Sequence, residues 1–549
     1  MLSAVGKRVA AIVGPRKSRV QPTEASLATD DRQIVRVEDI PGLHRLFPDR
    51  PRHVALLALE VARRGDGAQA LALLDELDTR SGPSVDSTIA RARVLTRRGD
   101  HQGAIVALES LAEQSRNAGT HVLLAENYYL TSRFADADRA YARAIELNPH
   151  SAPALLSRAA TAARLNRLDE AAECARRALR YDPRSRDAHG NLHWIYGLAN
   201  RWDEEERALA KALEFFPDDP EYLVSRAMLR LLRGDFEGGW ADFDARLRHP
   251  ERYPIRRSLL GKPVWNGESF EGKTLLVFGE QGAGDSVMMA RYLRQVKARG
   301  GRVVYEAPEN LHELLQSAGG VDEWVSLDLD REPGFPFDLW VPVMSLGRIF
   351  DARPGKLPNQ VPYLSVPDET REFWRTIVGS GSQPRVGVVW AGNPGHANDF
   401  FRSMSASMLA PVLDIAGVSF YGLQLDQRAS AVPARGMVDL TGHIITFTDT
   451  AALVDQMDLV IAVDTSIAHL SGALGRDTWV LLPYRPDWRW LLRRADSPWY
   501  PTITLFRQPR SQDWAGVAND VAKALAHWRD AQQGRRGAPG TGSAARAPR

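Results

Sequence analysis

Apolar and small residues in the first half of the chain recur at a fixed spacing of 34 residues. Three sets keep this spacing: Phe134, Leu168, Trp202 and Phe236; Ala144, Ala178 and Ala212; Pro149, Pro183 and Pro217. Within one period, two stretches with helical spacing of apolar residues are joined by a short polar turn, and a proline closes the unit. The pattern predicts a stack of helix pairs, because such units bury their apolar faces only against their neighbours.

These units resemble the tetratricopeptide repeat, over roughly residues 53–250. The resemblance implies an all-α solenoid, which we assign to residues 46–252. The concave face of such a solenoid is a long groove suited to a peptide or a protein segment. A rigid spacer and a dimerisation arm are the alternatives. Trp194, Tyr196 and Trp202 have helical spacing and are expected in the core rather than in the groove.

From about residue 255, short β-rich runs alternate with helical stretches, which predicts parallel sheets with crossover helices. TLLVFGE, RVVYEAP, EWVSL and FDLWVPV form a first set, and RVGVVWAG, VSFYGLQ, DLVIAVD and TWVLLP form a second. A linker is expected near YLSVPDETREFW. The fold class is therefore α + α/β: an N-terminal solenoid, then two Rossmann-like domains at residues 270–370 and 384–530, with a ligand cleft between their sheets.

Composition limits the classes of function. The 549 residues carry a formal net charge of only +2, which argues against nucleic acid as the main partner. The single cysteine, Cys174, excludes an internal disulfide, and every apolar run is too short for a membrane span. We expect a cytoplasmic protein with a disordered basic leader at residues 1–45 and a disordered tail at 531–549. For the leader, a secretory signal and a weak membrane-surface contact are alternatives.

The stretch VFGEQGAGDSVMMARYL joins a predicted strand to a helix through three glycines. Gly279, Gly282 and Gly284 form G-x-x-G-x-G, which is neither the dinucleotide fingerprint nor a P-loop. We expect Gly282 and Gly284 to let a sugar or an acceptor approach the backbone while Asp285 projects into the cleft. The alternative is that Asp285 only caps the helix.

The stretch VDTSIAHLSGALG places Asp464 at a strand end and offers Thr465 and Ser466 as helix caps. Amides exposed at such a helix start suit the phosphate of a donor, and His469 lies one turn into the helix. The alternative is a cap followed by a core histidine.

The stretch AGNPGHANDFFRSM forms a loop after the first strand of the second domain, and Asn393 lies in this loop. Gln424 ends a neighbouring predicted strand. In YRPDWRWLLRRADSPWYP, we interpret Asp487 and Trp488 as part of the cleft wall, with domain packing as the alternative. The acidic pairs at 328–330 and 242–244 mimic a metal motif, but they lie in a loop and in a repeat helix, and no metal or other cofactor is expected.

Taken in order, GEQGAGDSVMMARYL, VGVVWAGNPGHANDFFRSM and DLVIAVDTSIAHLSGALGRDTWVLLPYRPDWRWLL resemble heptosyltransferase-like GT-B glycosyltransferases of the tetratricopeptide-linked branch, over residues 270–528. The plan also resembles O-GlcNAc transferases and bacterial flagellin glycosyltransferases. The resemblance implies that Asp285 is the base that removes a proton from the acceptor hydroxyl, with inversion at the sugar. It places Asp464 and His469 in the donor site, with Gln424 near the nucleotide. It assigns Arg402 to neutralise the charge of the leaving phosphate, although the family often has lysine at this position.

The resemblance implies a metal-independent glycosyltransferase that uses a nucleotide-sugar as co-substrate and a protein acceptor, most plausibly flagellin, held by the repeat groove. A heptosyltransferase-like enzyme of lipopolysaccharide or other surface glycan synthesis is one alternative. A non-catalytic repeat scaffold with an inactive transferase domain is another, although Asp285, Asp464 and His469 are intact. The sugar, the choice among CMP, UDP, GDP and ADP, and the oligomeric state stay open.

Overall fold

A computed structural model of the chain describes residues 51–248, 259, 261–328, 332–358, 360–396, 398–425 and 436–537. The predicted leader, residues 1–45, lies outside these residues, as do the two ends of the predicted repeat domain, 46–50 and 249–252. The chain divides into two compact units, Met1–Phe215 and Phe216–Arg549. Across the described part of the chain, every helix is too short or too polar to cross a membrane.

The first unit consists of successive helices that pack in pairs, and this confirms the predicted tetratricopeptide-like solenoid. These helices are α1 (Pro51–Arg63), α2 (Gly67–Ser81), α3 (Val85–Arg98), α4 (His101–Gln114), α5 (Ala118–Leu130), α6 (Phe134–Leu147), α7 (Ala152–Arg164), α8 (Leu168–Tyr181), α9 (Arg186–Leu198) and α10 (Trp202–Phe215). Two further helices with the same spacing, α11 (Pro220–Arg233) and α12 (Phe236–Phe243), open the second unit.

The turn between the two helices of each pair contains one residue with a left-handed backbone. These residues are Gly65, Gly99, Ser132, Asn166, Asn200 and Gly234. Glycine adopts this conformation without cost and asparagine more readily than most residues, so the turn explains the small polar residues between the helices. Ala144, Ala178 and Ala212 are fully buried, which allows close approach of neighbouring helices.

The second unit contains two parallel sheets, and this confirms the predicted parallel α/β region. The strands are β1 (Thr274–Phe278), β2 (Arg302–Ala307), β3 (Glu323–Ser326), β4 (Leu339–Pro342), β5 (Arg385–Val389), β6 (Ser419–Gly422), β7 (Val438–Asp439), β8 (Leu459–Val463), β9 (Thr478–Leu482) and β10 (Ile503–Arg507). Their order is β3-β2-β1-β4 in one sheet and β10-β9-β8-β5-β6-β7 in the other.

Short helices follow or connect the strands. They are α13 (Ala283–Met289), α14 (Leu293–Lys297), α15 (His312–Gln316), α16 (Leu346–Ile349), α17 (Asp368–Val378), α18 (Asp399–Arg402), α19 (Ala410–Leu413), α20 (Phe447–Asp455), α21 (Ser466–Ala473) and α22 (Trp514–Gly537). In the six-stranded sheet β5 lies between β6 and β8. The chain extends the sheet from β5 to β6 and β7 on one side, and then crosses to β8, β9 and β10 on the other side. Ligands of parallel α/β folds bind at such a switch point, outside the carboxyl ends of the strands.

Two predicted boundaries are wrong. The stretch predicted as a linker forms α17, which begins with Asp368 and Glu369 and buries Trp374 completely. Acidic residues in the first turn stabilise a helix, and this signal was present in the sequence. The tail predicted to be disordered from residue 531 continues α22 to Gly537, because alanine and glutamine at 531–533 favour helix. Residues 538–549 lie outside the described chain.

The last helix pair packs into the α/β region rather than ending a separate repeat domain at 252. The Trp240 indole Nε1 donates a hydrogen bond of 2.8 Å to the Ala352 carbonyl. A Cβ atom on Gly347 would lie 2.4 Å from the Trp240 ring, so this glycine is required by close packing. Helices α11 and α12 are therefore repeat-like in sequence but belong to the second compact unit.

Candidate functional site

The glycine-rich turn after β1 holds Asp285 at the start of α13. A Cβ atom on Gly279 would lie 2.7 Å from the Glu306 carbonyl oxygen, so the turn passes directly against β2. Gly282 occupies the N-cap position, and Asp285 is the third residue of the helix. Its Oδ2 accepts a 2.9 Å hydrogen bond from the Gly282 amide. The capping alternative is thus present in part, because Asp285 Oδ2 accepts a hydrogen bond from the backbone amide of the N-cap residue.

That other oxygen of Asp285 forms an ion pair with Arg489, a residue that the sequence reasoning missed. Arg489 lies in the 3₁₀ turn Trp488–Trp490 and is 8% exposed. Its Nη1 also donates to Asp487 Oδ1 at 2.7 Å. Although burial opposes its charge, the Asp487 and Asp285 carboxylates raise the pKa of Arg489 above its usual value. The guanidinium therefore stays charged. It links Asp285, which follows β1 of the four-stranded sheet, to the segment of Asp487, which follows β9 of the six-stranded sheet.

Asp464 follows β8 directly, at the centre of the six-stranded sheet. Burial, and beyond it the Asp487 carboxylate, raise the pKa of Asp464 to about 6, although Arg402 and Arg489 favour its charged form. Thr465 is the N-cap of α21, but its hydroxyl makes no capping hydrogen bond, and Ser466 is the first helical residue. The Thr465 Oγ1 atom is buried without a hydrogen-bond partner.

The structure brings the two predicted motifs into contact at Gly284. A Cβ atom on Gly284 would lie 3.0 Å from His469 Cδ2 and 3.2 Å from Ser466 Cα. The third glycine of the turn, Gly284, is therefore needed because α21 approaches it closely. Asp285 and the start of α21 belong to one site.

His469 is buried, and its ring stacks on Trp490 with centroids 5.4 Å apart and planes inclined by 20°. Its Nδ1 lies 3.0 Å from the Tyr500 hydroxyl. Burial, reinforced by Arg489 and Arg291, holds the pKa of His469 well below its usual range. The imidazole is therefore neutral near pH 7.

The remaining predicted donor-site residues line the carboxyl ends of β5 and β6. The Gln424 side chain is buried and accepts a 3.1 Å hydrogen bond from the Ala391 amide, so it supports the loop after β5. Asn393 is exposed, and its Oδ1 accepts a 2.8 Å hydrogen bond from the Gly395 amide. Arg402 lies over Gly392, where a Cβ atom would be 2.6 Å from its Nη2. The contacts of Arg402, Gln424 and Asn393 with a donor stay predictions, and the two amide side chains also brace the backbone.

Trp488 does not form a cleft wall, and this interpretation is wrong. It is 2% exposed and packs edge-on against Trp240, Phe243 and Trp499, at centroid distances of 5.3, 6.4 and 5.6 Å. The domain-packing alternative describes Trp488, because its neighbours include the last repeat-like helix. Asp487 is partly exposed and positions Arg489.

The dismissed acidic pair in the last repeat-like helix is engaged by arginines. Asp242 pairs with Arg226 and Arg230 at 2.7 and 2.8 Å, and Asp244 pairs with Arg246 at 2.6 Å. Asp330, in the other pair, lies outside the described residues.

Buried hydrogen-bond donors without partners concentrate around Asp464. They are Thr465 Oγ1, Arg402 Nε and Arg489 Nε. Buried polar atoms are paired in most folded proteins, so such a group points to a polar ligand. These donors lie near Asp464, two residues before the eight-residue helix α21 begins. A ligand with several anionic oxygens matches these donors together with the amides at the start of α21.

A second feature that the sequence reasoning missed is the buried network around Arg246. Its guanidinium forms an ion pair with Glu280, which lies in the glycine-rich turn before Asp285. It also donates a 2.9 Å hydrogen bond to Ser345 Oγ. The sequence carried one signal for it. Arg246 stands 34 residues after Ala212, at a position where the three preceding repeats have alanine.

No protein-family model matches the chain. The chain is 26% identical to Protein FlbA of Caulobacter vibrioides, in an alignment of 374 residues that covers 59% of each protein. The chain thus matches less than two thirds of the length of this curated relative.

Two solved structures are similar in part. YrrB, described as a TPR protein with an unusual peptide-binding site, is 19% identical, covers 35% of this chain and 99% of its own, and has a TM-score of 0.31. TTC0263, a thermophilic TPR protein of Thermus thermophilus, is 24% identical, covers 33% of this chain and 100% of its own, and has a TM-score of 0.27. The repeat fold rests on the helix spacing above and not on these low scores.

Proposed function

We propose that the chain is an inverting glycosyltransferase of the GT-B type, which transfers a sugar from a nucleotide-sugar to a protein held by the repeats. The group of buried, unpartnered donors around Asp464 carries this proposal, because it faces a carboxylate, Asp285, across the contact between Gly284 and α21. An anion site beside a candidate base is the arrangement that transfer from a phosphate-linked sugar needs. In the proposed assignment, the four-stranded sheet serves the acceptor and the six-stranded sheet serves the donor.

The proposed reaction is a single displacement. Asp285 accepts the proton of the acceptor hydroxyl while the hydroxyl oxygen bonds to the anomeric carbon. The bond from that carbon to the phosphate oxygen breaks, and its electron pair leaves with the nucleotide. Arg402, Arg489 and the first amides of α21 stabilise the charge that develops on the leaving phosphate. The neutral His469 contributes a hydrogen-bonding group and no charge.

For the acceptor we propose a serine or threonine of flagellin in the cytoplasm, bound through the repeats. A solenoid of helix pairs offers a long surface, and affinity for a protein segment then does not depend on the few contacts around one hydroxyl. The motif resemblance to flagellin glycosyltransferases supports this choice of acceptor.

Intact-mass measurement of flagellin produced with and without this chain tests the proposal. We expect flagellin to gain the mass of one or more sugars with the wild-type chain and to remain unmodified with Asp285→Asn. If both proteins bind flagellin and neither modifies it, the repeat-scaffold alternative is correct. If flagellin neither binds nor changes mass while a surface glycan is lost on deletion of the gene, the surface-glycan alternative is correct.

A further inference from the structure

Arg489 lies between carboxylates that belong to both halves of the candidate site. It pairs with Asp285 through Nη2 and with Asp487 through Nη1, and its charge also acts on Asp464. Its guanidinium carbon lies 4.6 Å from the centre of the Trp488 ring, which holds it in position. The side chain is therefore buried and multiply paired, yet every charged partner lies within the site.

In this arrangement both oxygens of Asp285 are engaged. Oδ1 accepts from Arg489, and Oδ2 accepts from the Gly282 amide. A general base needs an oxygen directed at the proton that it removes. The amide is fixed by the turn, so the contact that can give way and free Oδ1 for the acceptor proton is the one to Arg489.

The site also offers Arg489 a second set of neighbours. Its Nε is buried without a hydrogen-bond partner, as are Arg402 Nε and Thr465 Oγ1 beside the start of α21. Phosphate oxygens satisfy all three, and arginine binds phosphate through two parallel hydrogen bonds. A phosphate at this place competes directly with Asp285 for the same guanidinium.

We propose that Arg489 exchanges Asp285 for the phosphate of the bound nucleotide-sugar, so that Asp285 becomes available as a base only after the donor has bound. This inference rests on the proposed function and adds an order to it, with the donor before the acceptor. Deprotonation of the acceptor is thereby tied to the presence of a sugar. Arg489 contacts both the base and the leaving group, and is a catalytic residue in this scheme.

A double-mutant cycle on nucleotide affinity tests the exchange. UDP, GDP, ADP and CMP are titrated calorimetrically into the full chain, and the tightest of them is used for the variants. We expect Asp285→Asn to tighten nucleotide binding, because the arginine no longer has to leave an ion pair. In an Arg489→Gln background the same change measures only the general loss of a negative charge. The tightening in the wild-type background is expected to exceed that in the Arg489→Gln background by about threefold or more, the range of measured couplings between contacting residues.

Equal factors in both backgrounds, or unchanged affinity on Asp285→Asn, overturn the exchange. Arg489→Lys, which keeps the charge but not the paired hydrogen bonds, serves as the second background if Arg489→Gln does not unfold cooperatively. A wild-type chain that binds none of the four nucleotides contradicts the proposed function itself, and the inference falls with it. A wild-type chain that binds while the cycle shows no coupling contradicts the exchange alone.

Discussion

Arg246 and Glu280 form a two-fold ion pair in which Nε and Nη2 donate to separate carboxylate oxygens, at 2.9 and 2.5 Å. Arg246 is fully buried and the Glu280 side chain is 6% exposed. The Met344 amide donates to the same carboxylate at 3.1 Å. The pair links the segment after the last repeat-like helix to the residue at which the Asp285 turn begins.

A fragment that starts at residue 216 is expected to fold, whereas one that starts at residue 251 is not. The longer fragment keeps Arg246 and the Trp240 ring, and the shorter one leaves Glu280 as a buried charge without its partner. Removal of one member of a buried pair costs about 3–5 kcal/mol. Thermal and denaturant unfolding of fragments 216–549 and 251–549 measure the difference. Equal stability of the two fragments would contradict the assignment of α11 and α12 to the second unit.

The same pair can be tested in the full chain. We expect Arg246→Met to lower the free energy of unfolding of the second unit by several kcal/mol. Arg143→Met is the matched control, since Arg143 pairs with Glu146 and both side chains are exposed, at 52% and 64%. An exposed pair contributes about 0–1 kcal/mol, so the control is expected to change stability little. Similar losses in both variants would show that the Arg246 pair has no special weight.

Gly284→Ala is expected to lower both turnover and stability. The added methyl lies 3.0 Å from His469 Cδ2, so α13 and α21 must move apart by a few tenths of an ångström. Small displacements of catalytic groups lower rates by up to about 10²-fold, while one extra methyl in a packed contact costs about 1–3 kcal/mol. Gly282→Ala serves for comparison, because its methyl meets Asp285 Oδ2 only at 3.4 Å. Equal activity of the two variants would argue against a tight contact.

The sequence predicted the helix pairs and the parallel strands well, because the spacing of apolar residues and the prolines and glycines that end helices and strands are local properties of the chain. It could not reveal the ion pair between Asp285 and Arg489, since these residues are 204 positions apart and meet only in the folded chain. The stretch that contains Arg489 is rich in tryptophan and arginine, and choosing among its members needs the direction of each side chain. Asp487 and Trp488 were chosen from it, whereas Arg489 makes the contact to the candidate base.

One other error has a local cause. The sequence predicts a linker where α17 lies, although Asp368 and Glu369 mark a helix start. The nucleotide contacts of Gln424 and Asn393 stay predictions, and the structure shows the side-chain oxygens of both accepting backbone hydrogen bonds. A polar residue at the end of a strand can bind a ligand or brace its own loop, and sequence position alone does not separate these roles.

Donor affinity is expected to fall as the pH rises above about 6, the pKa to which burial raises the carboxyl of Asp464. The donor is an anion and binds more tightly to the protonated, neutral carboxyl, so binding is accompanied by proton uptake. Affinity is then constant below this pH and declines above it. A nucleotide-sugar is the right probe, since each of its phosphates is esterified and none titrates near pH 6. Asp464→Asn removes the decline, and a decline that persists in this variant excludes Asp464 as its source.

His469 is expected to remain neutral between pH 6 and pH 8. Burial lowers its pKa, and the nearby Arg489 and Arg291 act in the same direction. NMR titration of the imidazole resonances, with His469→Gln used to assign the signal, measures this directly. A titration of His469 within that range would contradict the buried, cation-flanked environment. His469→Gln is also expected to bind nucleotide better than His469→Ala, because it keeps a neutral hydrogen-bonding group.

The alanines at 144, 178 and 212 and the arginine at 246 occupy the same place in successive repeats. Arrays of this kind gain and lose whole units in evolution, because each unit contacts only its neighbours. A duplicated copy of an earlier unit would place alanine where Glu280 needs a cation. We therefore expect changes in array length to be tolerated among the units before residue 216, and we expect the unit that begins at Pro220 to be retained with the α/β region.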